Sequence, residues 1–276
     1  MLLCFLLSWG SVLLFVGMEN FPGRPEQTEQ KLPIVIAATL LGPSVSGVVF
    51  SLIKYGVKGT GQNLRERMRW HSSYAALFFF APTIVGSSLT ILSALISAED
   101  YKPAILTINE EERVSFMLIG LGYGAAAGLF EEIGWSFFVT PELLLKLSKL
   151  DAGLILGLVW GFWHFLVAIW GSGDAEGRFS MDQFLPWIPW NVLVLPLYRV
   201  FMVQVYGKTN SVIPTVIMHA SLTASLPLIL MPNITGVALA SFYSLIAVAL
   251  ASILFCLSFV FGSEGTLVIT KKKKVT

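Results

Sequence analysis

The sequence predicts an all-α fold, a polytopic membrane helical bundle with about eight transmembrane helices. Of its residues, 55% are hydrophobic and only 13% are charged, and the mean hydropathy is +0.75. Soluble globular domains have a far more polar composition. Apolar runs of about 20 residues, the length of helix that crosses a bilayer, also recur along the chain. A water-soluble domain is therefore excluded, and no nucleic-acid partner is indicated by the net charge of +1.

Eight apolar segments define the predicted spans. Their approximate bounds are 1–18, 33–54, 72–97, 113–138, 152–171, 183–206, 210–231 and 234–262. The first segment lacks the basic start and the small-residue cleavage site of a signal peptide, so we expect it to remain as a span. The loops are short and no internal repeat is visible, which predicts a single domain over 1–276. Cys4 and Cys256 fall within spans, where we expect buried apolar side chains rather than a disulfide or metal site.

The distribution of basic residues predicts the orientation in the membrane. When the connecting segments are assigned alternately to the two sides, 13 of the 18 Lys and Arg residues fall on one side and 5 on the other. Basic residues concentrate on the cytoplasmic side of membrane proteins. We therefore expect both termini in the cytoplasm, and a cell membrane as the location. The basic side includes the segment 54–70, either an interfacial helix or a solvated loop, and the tail 271–274.

Two adjacent carboxylates, Glu131 and Glu132, lie within the fourth predicted span. A charged side chain in hydrocarbon costs about 3 kcal/mol even on lenient insertion scales, so such a pair is expected to face a protein interior. A stripe of small residues supports this, with glycine at 120, 124 and 128 and the same step of four reaching Glu132 and then Ser136. Glu131 projects about 100° away, on the flank of Trp135. The open alternative is a pair that reaches the cytoplasmic interface from the helix end.

Two histidines lie in later spans. His164 ends the run Trp160-Gly161-Phe162-Trp163-His164, and His219 lies one helical turn before Thr223. An imidazole in an apolar bundle needs a hydrogen-bond or metal partner. A glutamate with two histidines suits zinc with an open position for water, and a second glutamate then acts as base or support. A buried carboxylate that takes a proton from water would work without metal. Both versions remain open, and the strings H-E-x-x-H and G-x-S-x-G are absent.

These motifs resemble those of a known family. The run Glu131-Glu132-Ile133-Gly134-Trp135, the run 160–164, and Thr209-Asn210-Ser211 leading into His219-Ala220-Ser221 are similar to the CPBP intramembrane metalloproteases. This family is the CAAX prenyl endopeptidase and bacteriocin-processing group, also called Abi-type. The resemblance covers about 33–226 and implies an eight-helix enzyme that cleaves a peptide bond near the bilayer surface. Its implied substrate is a hydrophobic or lipidated protein, of which a prenylated CAAX-type chain is one form.

The resemblance also implies roles for individual residues. Glu131, His164 and His219 would activate water or hold a metal, with Zn²⁺ as the expected ion, and Glu132 would support them. Independently of the resemblance, Trp160, Trp163 and Trp135 accompany these residues and are expected to shape a pocket for an apolar substrate tail, for which core packing is the alternative.

Two positions depart from the family pattern. Ser136 stands where the family usually has arginine, and Thr223 stands where it commonly has asparagine. A serine hydroxyl cannot neutralise a neighbouring carboxylate in a low dielectric, so Glu132 is expected to be partly protonated at neutral pH. Arg199 is the other arginine in the later spans that could compensate.

The leading interpretation is a glutamate- and histidine-dependent intramembrane endopeptidase that is reached from the cytoplasmic side. One alternative is a catalytically impaired relative that acts as a membrane immunity or scaffolding protein. Retention of both glutamates and both histidines counts against it, because an unused buried charge is costly. The second alternative is a proton-coupled transporter, which would be expected to show broken helices or paired repeats.

Overall fold

The computed structural model describes residues 1–95 and 102–260, and this part of the chain is helical. Its only β pairings are two isolated bridges, Pro103 with Pro232 and Gly173 with Phe179. The long helices are α1 (Leu2–Val16), α2 (Pro25–Arg67), α3 (Phe80–Leu95), α4 (Arg113–Gly134), α5 (Lys149–Trp170), α6 (Leu195–Thr209), α7 (Ile213–Ala224) and α8 (Gly236–Val260). Six helical segments are long and apolar enough to cross a membrane. The prediction of an all-α, multi-pass membrane bundle is confirmed.

Two predicted spans form helices that are shorter than expected. The α1 helix has 15 residues and the α7 helix has 12, and neither is among the six candidate spans. At 1.5 Å per residue they reach about 22 and 18 Å, less than the roughly 30 Å of a bilayer core. The α1 helix ends at Gly17, whose φ of 83° departs from helical geometry. Residues 96–97 and 261–262 of the predicted spans, and the tail 271–274, lie outside the described residues.

The α2 helix is longer than predicted. It bends at Gly56, where φ is +66° and ψ is 177°, and then continues as a helix to Arg67. A positive φ strains any residue with a Cβ, so glycine is suited to this bend. We call residues 57–67 the basic extension. It favours the helical alternative for the segment 54–70 over an irregular loop.

The basic extension is fixed to the body of the bundle by hydrogen bonds at its last residue. Arg67 Nη1 donates to the Phe137 carbonyl at 2.7 Å, and the Val212 amide donates to the Arg67 carbonyl at 2.7 Å. Phe137 follows α4 and Val212 precedes α7. The extension therefore joins the ends of the two helices that carry the glutamates and His219.

Close packing of α4 against α7 depends on the glycine stripe. A Cβ on Gly128 would lie 2.6 Å from the Val216 carbonyl oxygen, and one on Gly124 would lie 3.0 Å from the Ala224 Cβ. Only glycine allows the two backbones to approach so closely. The α5 helix packs on α6, and α1 packs on α2. The stripe thus brings α7, with His219, against the face of α4 that carries Glu132.

Three π-helical turns interrupt the bundle: Trp135–Val139 directly after α4, Trp190–Val194 before α6, and Ser225–Ile229 after α7. A π turn adds one residue and re-aims the side chains around it, and such turns are frequent at functional sites. The first begins three residues after Glu132. Within this turn the Trp135 carbonyl accepts a hydrogen bond from the Thr140 hydroxyl at 2.8 Å.

Candidate active site

Glu131 and Glu132 are both buried at the C-terminal end of α4, with 3% and 0% of their surfaces exposed. This excludes the alternative in which the pair reaches the interface. Glu132 follows the glycine stripe toward α7, as the step of four predicts. Ionised groups that are buried this completely need partners on their oxygens, and the structure supplies them from three other helices.

Glu132 is the centre of a dense network. Arg199 on α6 donates from Nη1 to Oε1 at 3.0 Å and to Oε2 at 2.8 Å. His219 Nδ1 contacts Oε1 at 2.7 Å, and the Ser136 hydroxyl donates to Oε2. Because a carboxylate only accepts, the imidazole proton lies on Nδ1. In the neutral imidazole this leaves Nε2, on the opposite edge, as a hydrogen-bond acceptor.

Glu131 is held on one side and free on the other. Its Oε2 accepts the indole N–H of Trp160 at 2.8 Å and that of Trp135 at 3.3 Å. Its Oε1 lies 3.8 Å from His219 Nε2. That separation is too long for a direct hydrogen bond but lets one water molecule bond to both atoms. Glu131 therefore presents one carboxylate oxygen to the unprotonated nitrogen of His219.

His164 lies beside this pair but is not bonded to it. It is half-buried, and its Nδ1 contacts the Trp160 carbonyl at 2.9 Å. The Trp160 ring touches both imidazoles edge-on, with centroids 5.7 Å from His164 and 4.9 Å from His219. Trp160 thus separates the two histidines and also bonds to Glu131, so it takes part in the site and is not a core residue alone.

Ser136 and Thr223, the two departures from the family pattern, differ in their contacts with the site. Ser136 is a direct partner of Glu132, and Arg199 supplies the positive charge that Ser136 lacks. The expectation that Glu132 is partly protonated is therefore wrong, because it assumed an uncompensated carboxylate. Thr223 is half-buried on α7. Among the described residues its side chain makes no hydrogen bond to the glutamates or to His219.

A family model matches the part of the chain that holds this network. Residues 113–225 match the model described as type II CAAX prenyl endopeptidase Rce1-like. The segment is similar to that family. The resemblance to the CAAX protease group is confirmed over these residues, and residues 33–112, which it was also expected to cover, lie outside the match. The search of curated proteins gave no match.

The Rce1-like match supports intramembrane endopeptidase activity in general. It begins at Arg113, the first residue of α4, and ends just after α7, so it includes every side chain of the network.

The donor atoms of the matched segment share some features with a zinc site. Each predicted ligand retains a free donor, and the carboxylate on His219 Nδ1 is the support that zinc-binding histidines usually have. The arrangement differs, because the described residues contain no group of three or more His, Cys, Asp or Glu side chains that could hold a metal ion. Zn²⁺ bound by Glu131, His164 and His219 therefore stays a prediction, with the three side chains not gathered into such a group in the described residues.

Two contacts at the site were not predicted from the sequence. The Trp135 indole bonds to Glu131, although the sequence places both on one flank of α4 one turn apart. Arg67 of the basic extension binds the Phe137 carbonyl and stacks on its ring, 5.7 Å from the centroid. The first contact could have been found from helical spacing. The second depends on a π turn that no periodicity in the sequence indicates.

Proposed function

We propose that this protein is an intramembrane endopeptidase in which Glu131 activates a water molecule. The observation that carries the proposal is the pair formed by Glu131 Oε1 and His219 Nε2, 3.8 Å apart and buried. The other carboxylate oxygen is held by two indole N–H groups. A fixed carboxylate with one free oxygen beside an imidazole nitrogen has the geometry of a general base for hydrolysis.

The chemistry follows from the free atoms. A water molecule bonded to Glu131 Oε1 and His219 Nε2 loses a proton to the carboxylate as it attacks the peptide carbonyl. The carboxyl group then gives that proton to the leaving amine. Burial strengthens both steps, because electrostatic interactions are stronger where bulk water is excluded. No bound group beyond the chain's own side chains is used in this scheme.

The histidines have separate roles in the proposal. Glu132 holds the Nδ1 proton of His219 and so keeps Nε2 directed at the water. His164 donates from Nδ1 to the Trp160 carbonyl, which leaves its Nε2 for the substrate. To donate to the oxyanion that forms on attack, His164 would carry a second proton at Nε2, taken from solvent before the peptide binds. Thr223, one turn beyond His219, is the remaining candidate for contact with that oxyanion.

The location of the site among apolar helices indicates the substrate class. A site inside a bundle of apolar helices admits a peptide that is itself in or on the membrane, so we propose a hydrophobic or lipidated protein, including prenylated CAAX-type chains. The glutamates lie near the end of α4 that the basic extension contacts. The positive-inside rule makes this the cytoplasmic end. Substrate would therefore enter from the cytoplasmic leaflet.

The proposal is tested by cleavage of matched prenylated and unprenylated peptides with the detergent-purified protein. Glu131→Gln keeps the shape of the side chain and removes the base, so we expect a loss of at least about 100-fold in kcat/KM. Glu142→Gln is the matched control, because Glu142 follows the same helix but pairs with Lys54 and Tyr55. It should cleave like the wild type.

Chelator in the same assay separates the two versions of the chemistry. Cleavage that persists in excess chelator supports water activation by Glu131 alone. Loss of cleavage with recovery on Zn²⁺ would establish a metal enzyme and overturn the metal-free scheme. If folded wild-type protein cleaves no peptide of the panel, the catalytically impaired alternative is favoured.

A further inference from the structure

Arg199 makes an ion pair that links the site to a distant part of the chain. It lies on α6, its side chain is 0% exposed, and its Nη1 contacts both oxygens of Glu132. The two residues are 67 positions apart in sequence. A buried charge persists only where another group compensates it. Ser136, one turn past Glu132 along the chain, bonds to the carboxylate but carries no charge.

Arg199 also supports the second half of the site. Its guanidinium carbon lies 4.1 Å from the centre of the Trp160 ring, a close cation–π contact. The same indole donates its N–H to Glu131. Arg199 therefore contacts Trp160, which bonds to Glu131, the proposed base. It also contacts Glu132, which bonds to His219.

The interactions of the Arg199 guanidinium are with the residues of this site. Arg199 Nε and Nη2 have no hydrogen-bond partner among the described residues. Glu132 is accordingly the acceptor for this arginine within that part of the chain. Removal of either partner leaves the other buried and unpaired, so the two side chains should behave as a unit.

We propose that Arg199 is a positioning residue for the proposed hydrolysis. It replaces, from another helix, the positive charge that Ser136 does not provide. By holding Glu132 and the plane of Trp160, it fixes the orientation of His219 and of Glu131 relative to the same water. This inference rests on the proposed function, and it assigns to α6 a part in the site that the motif residues on α4, α5 and α7 do not include.

A charge that only stabilises the fold would give a different result from a positioning charge. Loss of a stabilising charge lowers the amount of folded protein, and what remains folded turns over normally. Loss of a positioning charge lowers kcat in the folded protein and leaves KM almost unchanged, because peptide binding does not involve the ion pair. A correctly placed charge from another position should then restore kcat.

The experiment compares Arg199→Ala, Ser136→Arg and the double variant, with kcat, KM and melting temperature measured for each. Arg199→Ala should lower kcat by about 100-fold, the order of one general-base contribution. In the double variant the arginine enters one turn from Glu132, in the space that the alanine leaves, and kcat should recover at least about ten-fold. Met202→Ala removes a fully buried apolar side chain one turn along α6, so it controls for the cavity and should keep the wild-type kcat.

Either of two results would overturn the proposal: a wild-type kcat for folded Arg199→Ala, or a double variant that folds but is no more active than Arg199→Ala. If Arg199→Ala does not fold, Arg199→Lys decides, because it keeps the charge without the planar contact. A kcat about ten-fold below wild type then supports positioning, and an unchanged kcat overturns it.

The stability data separate failure of this inference from failure of the proposed function. If the wild type cleaves no peptide, the proposed function fails, but the charge partnership is still tested. Ser136→Arg should then raise the melting temperature of Arg199→Ala and lower that of the wild type, where two buried arginines would compete for one carboxylate. Equal shifts in both backgrounds would reject the partnership.

Discussion

At the scale of single residues, the site is a set of donors arranged around two buried carboxylates. Glu132 has partners on both oxygens, while Glu131 has partners on one. This asymmetry supports the proposed roles, in which the fully bonded carboxylate is a support and the half-bonded one takes a proton from water. The proposed difference between the two glutamates therefore lies in their hydrogen bonds rather than in their order along α4.

The indole N–H of Trp160 provides a direct test of this asymmetry. Trp160→Phe keeps an aromatic ring over Arg199 but removes the hydrogen bond to Glu131. A hydrogen bond to a charged group is worth about 1.5–3 kcal/mol, so we expect kcat/KM to fall about 10- to 100-fold. The measurement is peptide cleavage beside the melting temperature of each purified variant.

Trp163→Phe is the matched control for that substitution. Trp163 is equally buried on the same helix, and its indole N–H has no hydrogen-bond partner among the described residues. Loss of this N–H should leave kcat/KM within about two-fold of wild type, since no bond is broken. Equal losses in both variants would mean that ring packing, and not the bond to Glu131, determines the effect.

The sequence could predict the local part of this site but not its long-range part. Helical periodicity predicts that Glu132 lies on the glycine stripe and that Glu131 lies beside Trp135. Both positions are found in the structure. The pairing of Arg199 with Glu132 joins residues 67 positions apart. It depends on which helix faces α4 and at what height, and no local pattern carries that information.

At the scale of helices, the packing of α4 on α7 sets the distance between the glutamates and His219. The glycines of the stripe leave α4 without a Cβ at these positions, which lets α7 approach and His219 Nδ1 reach Glu132 Oε1 at 2.7 Å. Helix lengths were harder to predict than this contact. The seventh hydrophobic run continues past Ala224, but the α-helix ends there and becomes a π turn, a change of hydrogen-bonding pattern that hydropathy does not register.

Gly128→Ala should separate α4 from α7. The new Cβ would lie 2.6 Å from the Val216 carbonyl oxygen, and backbone in a packed core yields only by moving the helix. Overpacking of this kind costs about 1–3 kcal/mol. We expect a lower melting temperature and a cleavage rate that falls further than stability alone would explain, because the Glu132–His219 bond lengthens.

Gly122→Ala, on the same helix, distinguishes packing from backbone effects. A Cβ at Gly122 meets no atom within 4 Å, and alanine favours a helix over glycine by up to about 1 kcal/mol. This variant should be as stable as the wild type or slightly more so, with unchanged cleavage. A similar loss at both positions would show that glycine flexibility, and not close approach, is what α4 requires.

At the scale of the whole molecule, the contacts define two ends of the bundle. At one end the basic extension binds Phe137 and Val212 through Arg67. At the other end the turn after α5 meets the start of α2, where the Gly23 amide donates to the Trp170 carbonyl at 2.8 Å. The glutamates lie closer to the first end. The side of the membrane from which a substrate enters therefore depends on which end faces the cytoplasm.

Cysteine labelling tests that orientation. In a Cys4→Ala/Cys256→Ala background, Lys58→Cys and Ala175→Cys place single thiols on exposed positions at the two ends. The excess of basic residues beside the first end predicts that it is cytoplasmic. A membrane-impermeant reagent should therefore label the thiol at 175 in intact cells and the thiol at 58 only after permeabilisation. The reverse pattern would place the glutamates near the outer surface and exclude cytoplasmic prenylated proteins as substrates. Labelling of both thiols in intact cells would contradict the alternation of spans from which the orientation was predicted.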